Sequence, residues 1–187
     1  MTEAPRDLIV TCGALARDIL ALVAANGFSH LDVRALPALL HNRPERIPEA
    51  VRTAIREGRR THRRIFVAYA DCGTGGLLDR VLEQEGAARL PGAHCYAVYS
   101  GVEAFAARAE ADMRAFFLTD FLVRQFDTLV IEGLGLDRHP ELRDAYFGAY
   151  ESVVYLAQTR DPRLREAAAS AAARLGLPLE IRDVGLG

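Results

Sequence analysis

Apolar residues along this chain alternate between short unbroken runs and stripes at helical spacing. Residues 8–11, Leu-Ile-Val-Thr, make a brief apolar run broken at Gly13, and residues 14–25 then carry a helical pattern closed by Asn26-Gly27. Residues 31–36 read as a second strand ending at Pro37. Asn42 as cap, Pro44 in the first turn and Glu45 three residues after the cap predict a capping box. The helix it opens shows Ile47, Val51, Ala54 and Ile55 on one face and ends at Gly58. Residues 65–70, Ile-Phe-Val-Ala-Tyr-Ala, are apolar throughout, as a strand covered on both faces of a parallel sheet should be.

The pattern continues with a helix bearing Leu77, Leu78, Val81 and Leu82, then a short fourth strand at 88–90. Residues 96–110 read as mostly helical, although 95–99 also fit a strand. Residues 116–126 read as a buried helix, 128–131 suit helix or strand, and 142–150 read as helical. A strand follows at 152–158. Asp161-Pro162 then caps an Ala-rich helix that stops at Gly176, and a last strand covers 179–184. Strands alternating with helices predict an α/β fold, a single three-layer sandwich with a mainly parallel sheet of five or six strands. Residues 1–187 read as one domain, without repeats or linkers.

Composition narrows the function. Half of the residues are hydrophobic and 26% charged, which is globular usage. The formal net charge of −2 gives no global pull toward nucleic acid or anionic lipid. All 23 basic residues are Arg. The run Arg56, Arg59, Arg60, Arg63, Arg64 sits at a helix end, where cations suit the dipole, and reads as a solvated face rather than a phosphate patch. No stretch approaches the roughly 20 apolar residues of a membrane span. The start of the chain, acidic-leaning and running straight into a strand, does not read as a signal peptide. An odd count of three cysteines is poor material for a disulfide framework, so a reducing cytoplasm is expected.

Those cysteines carry the candidate chemistry. Ligands of parallel α/β sheets bind outside the carboxyl ends of the strands. Cys12 follows the first strand, Cys72 the third and Cys95 the short fourth, while His41 lies after the second. Thiolates with a histidine suit Zn or another thiophilic metal. His41 is the better fourth ligand if Cys95 is on a strand; His94 is equally suited if it is not, because adjacent strand residues face opposite sides. Three small buried hydrophobes are the plain alternative, and Cys72 as a nucleophile is a further one. Gly73, Thr74, Gly75 and Gly76 form a glycine-rich turn that resembles a phosphate cradle. It has neither the P-loop ending nor the dinucleotide fingerprint, so no nucleotide is expected. Asp137, His139-Pro140 and Thr119-Asp120 read as turn and cap residues, and His30 and His62 as surface positions.

Several segments together resemble one family: Cys12-Gly13-Ala14, Leu39-Leu40-His41-Asn42-Arg43-Pro44-Glu45, Asp71-Cys72-Gly73-Thr74-Gly75, His94-Cys95-Tyr96, Phe117-Leu118-Thr119-Asp120-Phe121 and Tyr155-Leu156-Ala157-Gln158. The chain is similar in these to the bacterial and archaeal family filed as domain of unknown function 1638. The resemblance implies a shared site at Cys12, Cys72, His94 and Cys95. It also implies a setting beside corrinoid proteins and methyltransferases of one-carbon metabolism. The expectation is therefore a metal-binding enzyme or accessory protein serving methyl transfer, or a docking partner of a corrinoid or methyltransferase subunit whose cysteines are structural.

Overall fold

The computed structural model describes residues 6–185; the first five residues, which precede the first strand in the sequence reading, lie outside them. The chain divides into two compact units, the first ending at Cys95 and the second beginning at Tyr96. Among the described residues no helix is long and apolar enough to cross a membrane.

The first unit runs β1 (Asp7–Cys12), α1 (Gly13–Ala25), β2 (Leu31–Leu36), α2 (Ile47–Gly58), β3 (Ile65–Ala68), α3 (Leu77–Glu85) and β4 (Ala88–Arg89). Its strands lie in the order β2-β1-β3-β4, every pair parallel. The chain steps outward from β1 to β2, then crosses back over β1 to β3. With the right-handed crossovers general to such units, this order sends α1 to one face and α2 with α3 to the other, and α2 packs against α3. The apolar face of α2 that the sequence marks (Ile47, Val51, Ala54, Ile55) is fully buried, together with Val10, Val67 and Leu78. Four of the five arginines of that run are tied down. Arg52, Arg56 and Arg59 converge on the buried carboxylate of Glu85, and Arg63 and Arg64 on Asp7.

The predicted capping box is not formed. The chain makes two short 3-10 turns, Ala38–Asn42 and Pro44–Arg46, and α2 starts behind Arg46 with no side-chain cap. Pro48 in the first turn has no amide hydrogen to satisfy, which lowers the demand for one.

The second unit contains α4 (Tyr96–Ser100), α5 (Val102–Ala107), β5 (Ala115–Thr119), α6 (Asp120–Arg124), α7 (Arg143–Phe147), β6 (Ser152–Ala157), α8 (Pro162–Leu175) and β7 (Leu179–Asp183). Its sheet, β5-β6-β7, is also parallel. The strands thus form sheets of four and three, not one of five or six. β4 pairs over only Ala88 and Arg89, a short edge, and β5 pairs with β6.

The buried helix expected at 116–126 is a strand followed by a helix. Phe116 packs on Phe147 and Tyr150, and Phe117 on Tyr96 and Phe105. Consecutive aromatics facing two different layers are what a strand covered on both sides requires, and an unbroken apolar run does not distinguish that from a buried helix. Thr119 caps α6 by accepting from the Leu122 amide at 3.3 Å. Residues Asp127–Glu132 form a π-helical turn. The helix expected over 96–110 is split at Gly101, whose φ of +81° ends α4. The helix expected at 142–150 narrows to α7. The Asp161 cap and the Gly176 stop of α8 are formed as read, with Asp161 accepting from the Arg163 amide.

Candidate thiol site

The carboxyl edge of the four-stranded sheet gathers residues from four connections. Cys12 ends β1 and stands at the N-cap of α1, so its sulfur feels the amides of Ala14 and Leu15 without forming a capping hydrogen bond. His41 sits in the first 3-10 turn after β2, where its Nδ1 is held 3.0 Å from the Ala38 carbonyl. That partner accepts only, so Nδ1 carries a proton and Nε2 is left to face the thiols. Tyr69, two residues before the turn that follows β3, is wholly buried, and its ring stacks on His41 at an interplanar angle of 9°.

Cys72 occupies an unusual backbone. Among the described residues it is the one non-glycine residue with positive φ, at +50°, a conformation costing roughly 1–2 kcal/mol for an L-residue. Two devices hold it there. The Asp71 carboxylate accepts from the Thr74 hydroxyl (2.6 Å), the Gly76 amide (2.9 Å) and the Gly75 amide (3.1 Å). The backbone amides of Asp71 and Cys72 also donate to the carbonyls of Gly92 and Ala93, at 3.1 and 2.8 Å. That second clasp joins the loop after β3 to the loop after β4 and brings Cys95 to Cys72.

The glycine-rich turn therefore serves its own protein. The Gly75 and Gly76 amides, which a phosphate would need, are filled by Asp71, whose negative charge would repel an anion. Gly73, Thr74, Gly75 and Gly76 shape the loop that presents Cys72.

The three thiols are free and buried, and they act on one another. Cys72 is pulled down to about 4, by the Cys95 thiol that hydrogen-bonds it and by His41, against the opposing pull of burial. Cys95 is driven well up by that same pairing and by burial. One sulfur thus carries negative charge while its neighbour keeps the proton. Burial pushes Cys12 up to about 11, against the nearby helix amides. Burial alone would lower the His41 imidazole, but the Cys72 thiolate beside it raises it. All three cysteines act on Tyr69 as well, which with burial holds its phenol protonated. His94 is exposed, on the solvent side of the loop that buries Cys95. Cys95 itself lies in a turn just ahead of α4, not on a strand.

Cys12, Cys72, Cys95 and His41 are thus brought together at one sheet edge, and His94 is turned outward. Among the described residues no three His, Cys, Asp or Glu side chains stand in a formed metal-holding arrangement. The residue types are thiophilic, and His41 Nε2 is buried beside the Cys72 sulfur. The residue types suit a soft metal, while their placement among the described residues forms no site for one.

A family model described as "Protein of unknown function (DUF1638)" matches residues 35–187. The chain belongs to this family. No curated protein and no solved structure matches it. The DUF1638 match takes in His41, Cys72, His94 and Cys95 and begins after Cys12. Sequence reasoning missed Tyr69. The available signal was a single hydroxyl in an otherwise apolar strand run, next to the edge where ligands bind.

Proposed function

We propose that this DUF1638 protein binds a thiophilic metal ion, Zn or a similar one, with Cys72, Cys95 and His41 as direct ligands and Cys12 lining the same site. One observation carries the reading. His41 is oriented by a backbone carbonyl at Nδ1 and holds its other ring nitrogen buried beside the Cys72 thiol. That is the arrangement by which proteins fix the tautomer of a metal-binding imidazole. The metal would act as a Lewis acid toward a ligand bound beside the thiolates. The corrinoid-linked methyl transfer implied by the family resemblance, as enzyme or accessory protein in a reducing cytoplasm, would use such a site to activate a thiol. In the docking-partner alternative the cysteines would hold no metal.

The test is metal content of protein purified without a metal-affinity tag. Near-stoichiometric metal in the wild type, lost in Cys72→Ser with the circular dichroism spectrum preserved, is the expected result. Full metal retention in Cys72→Ser refutes the reading, as does a metal-free wild type that takes up no added Zn.

A second reading rests on Cys72 alone. A buried thiol lowered to about 4 and held by a left-handed turn beside an imidazole is also the shape of a nucleophile. It predicts one fast-reacting cysteine toward iodoacetamide and no bound metal.

A further inference from the structure

Three thiols share one sheet edge, but their contacts run in a row. His41 pairs with the Cys72 sulfur on one side, and on the other the Cys95 thiol and the Cys95 amide both hydrogen-bond it. Cys12 acts on Cys95 at a distance, through charge. Cys72 is therefore flanked by an imidazole and by one second thiol. The backbone fixes the same pair, because the Cys72 amide donates at 2.8 Å to the carbonyl of Ala93, two residues before Cys95. The Cys95 segment is carried by β4, which pairs with β3 at two positions only. It can close on Cys72 while the longer strands stay paired.

Burial and one orphaned donor define what could react there. Cys72 is 9% exposed and Cys95 8%, which keeps bulky reagents from both sulfurs. The Tyr69 hydroxyl is buried and has no hydrogen-bond partner among the described residues. Its ring stacks on His41 with centroids 6.2 Å apart, and its hydroxyl lies within electrostatic reach of all three cysteines. A buried donor left unsatisfied costs about 1–3 kcal/mol, and natural folds keep few of them without a reason. A small molecule with an oxygen lone pair would accept from it beside the thiols.

Resting on the nucleophile reading of Cys72 rather than on the metal site, we propose that Cys72 and Cys95 are a redox pair oxidised to a disulfide by a small hydroperoxide. The Cys72 sulfur attacks one peroxide oxygen. The S–O bond forms as the O–O bond breaks, and the thiol proton leaves with the departing oxygen as water or an alcohol. The Cys95 sulfur then attacks the Cys72 sulfenic acid. The S–S bond forms as the S–O bond breaks, and the Cys95 proton leaves with the hydroxyl as water. Two electrons pass from the sulfurs to the peroxide oxygens.

The test treats the reduced full-length protein with one equivalent of hydrogen peroxide, blocks it with N-ethylmaleimide and maps its peptides by mass spectrometry. The protein should lose two of its three free thiols, yield a Cys72–Cys95 linked peptide and leave Cys12 alkylated. Oxidised glutathione at the same concentration should leave all three thiols free over the same time. Cys95→Ser should stop at a Cys72 sulfenic acid, trapped by dimedone. A link that includes Cys12, or three thiols intact after peroxide, overturns the pair; fast iodoacetamide labelling of Cys72 would then leave the nucleophile reading standing. Slow labelling of Cys72 removes that reading and this inference with it. Oxidation by glutathione disulfide as fast as by peroxide overturns the choice of a hydroperoxide.

Discussion

Replacing Asp71 by alanine should dismantle the turn that presents Cys72, and the cost can be worked bond by bond. The Asp71 carboxylate accepts three hydrogen bonds. Thr74 is 4% exposed, and its hydroxyl would lose its acceptor in the interior, costing about 1–3 kcal/mol. The half-buried Gly76 amide would cost about 0.5–1.5 kcal/mol, and the exposed Gly75 amide would be taken up by water at little expense. The sum is about 2–4 kcal/mol. With a urea slope of about 2 kcal/mol/M, the unfolding midpoint should fall by about 1–2 M. The left-handed Cys72 backbone then loses half of what holds it, so bound metal should be lost at lower chelator concentration. Asp71→Asn keeps one carbonyl acceptor and should sit between wild type and alanine. A midpoint shift under about 0.3 M, with metal retention unchanged, would show that the clasp to Gly92 and Ala93 alone fixes the loop, and the turn argument would be wrong.

The second unit offers a control remote from the thiols in sequence. Asp120, 4% exposed, accepts from the Tyr155 hydroxyl (2.6 Å), the Gln158 amide (3.0 Å) and the Thr159 hydroxyl (2.5 Å). Asp120→Ala should cost about 3–5 kcal/mol by orphaning buried donors, and adding Tyr155→Phe should recover part of it; urea titrations that show no recovery refute the assignment. Acid stability gives a further check. Arginines hold Asp7 and Glu85 below their ordinary values, and Arg6 with His62 holds Asp32 at about 2. The unfolded chain takes up protons on these groups before the folded one does. Their stabilisation is therefore full above about pH 4.5 and lost as pH falls through the depressed values. Melting temperature should decline below pH 4, and a flat profile from pH 6 to pH 2 contradicts the ion-pair account.

How much of this was written in the sequence differs by element. β1, β2 and the core of β3 were plain, because short apolar runs bounded by Gly13, Pro37 and the Asp71 turn leave little room for a helix. β5 was misread because Phe116 and Phe117 are both covered, which erases the alternation that marks a strand. The split into two sheets was not legible, since pairing of β5 with β6 is a long-range choice that local pattern does not encode. At the candidate site, the gathering of Cys12, Cys72 and His41 followed from counting strand ends. Which of His94 and Cys95 turns inward depends on a backbone clasp at Gly92 and Ala93, and those two residues carry no side-chain signal for it. The filled cradle at Gly75 and Gly76 was hidden for a related reason. Asp71 reads as one acidic residue, and only the folded turn shows its carboxylate seated on those amides.

The two-residue length of β4 has a kinetic consequence. Cys12 ends a six-residue strand paired on both sides, whereas the segment bearing Cys95 hangs on an edge strand joined to β3 at Phe66 and Val67. Local opening starts where the fewest backbone bonds must break. Fraying of residues 88–95 would free the Asp71 and Cys72 amides from their acceptors while β1 and β2 stay zipped. Entry to the thiols would then run on the timescale of that seam, and amide hydrogen exchange at Asp71 and Cys72 would be its clock.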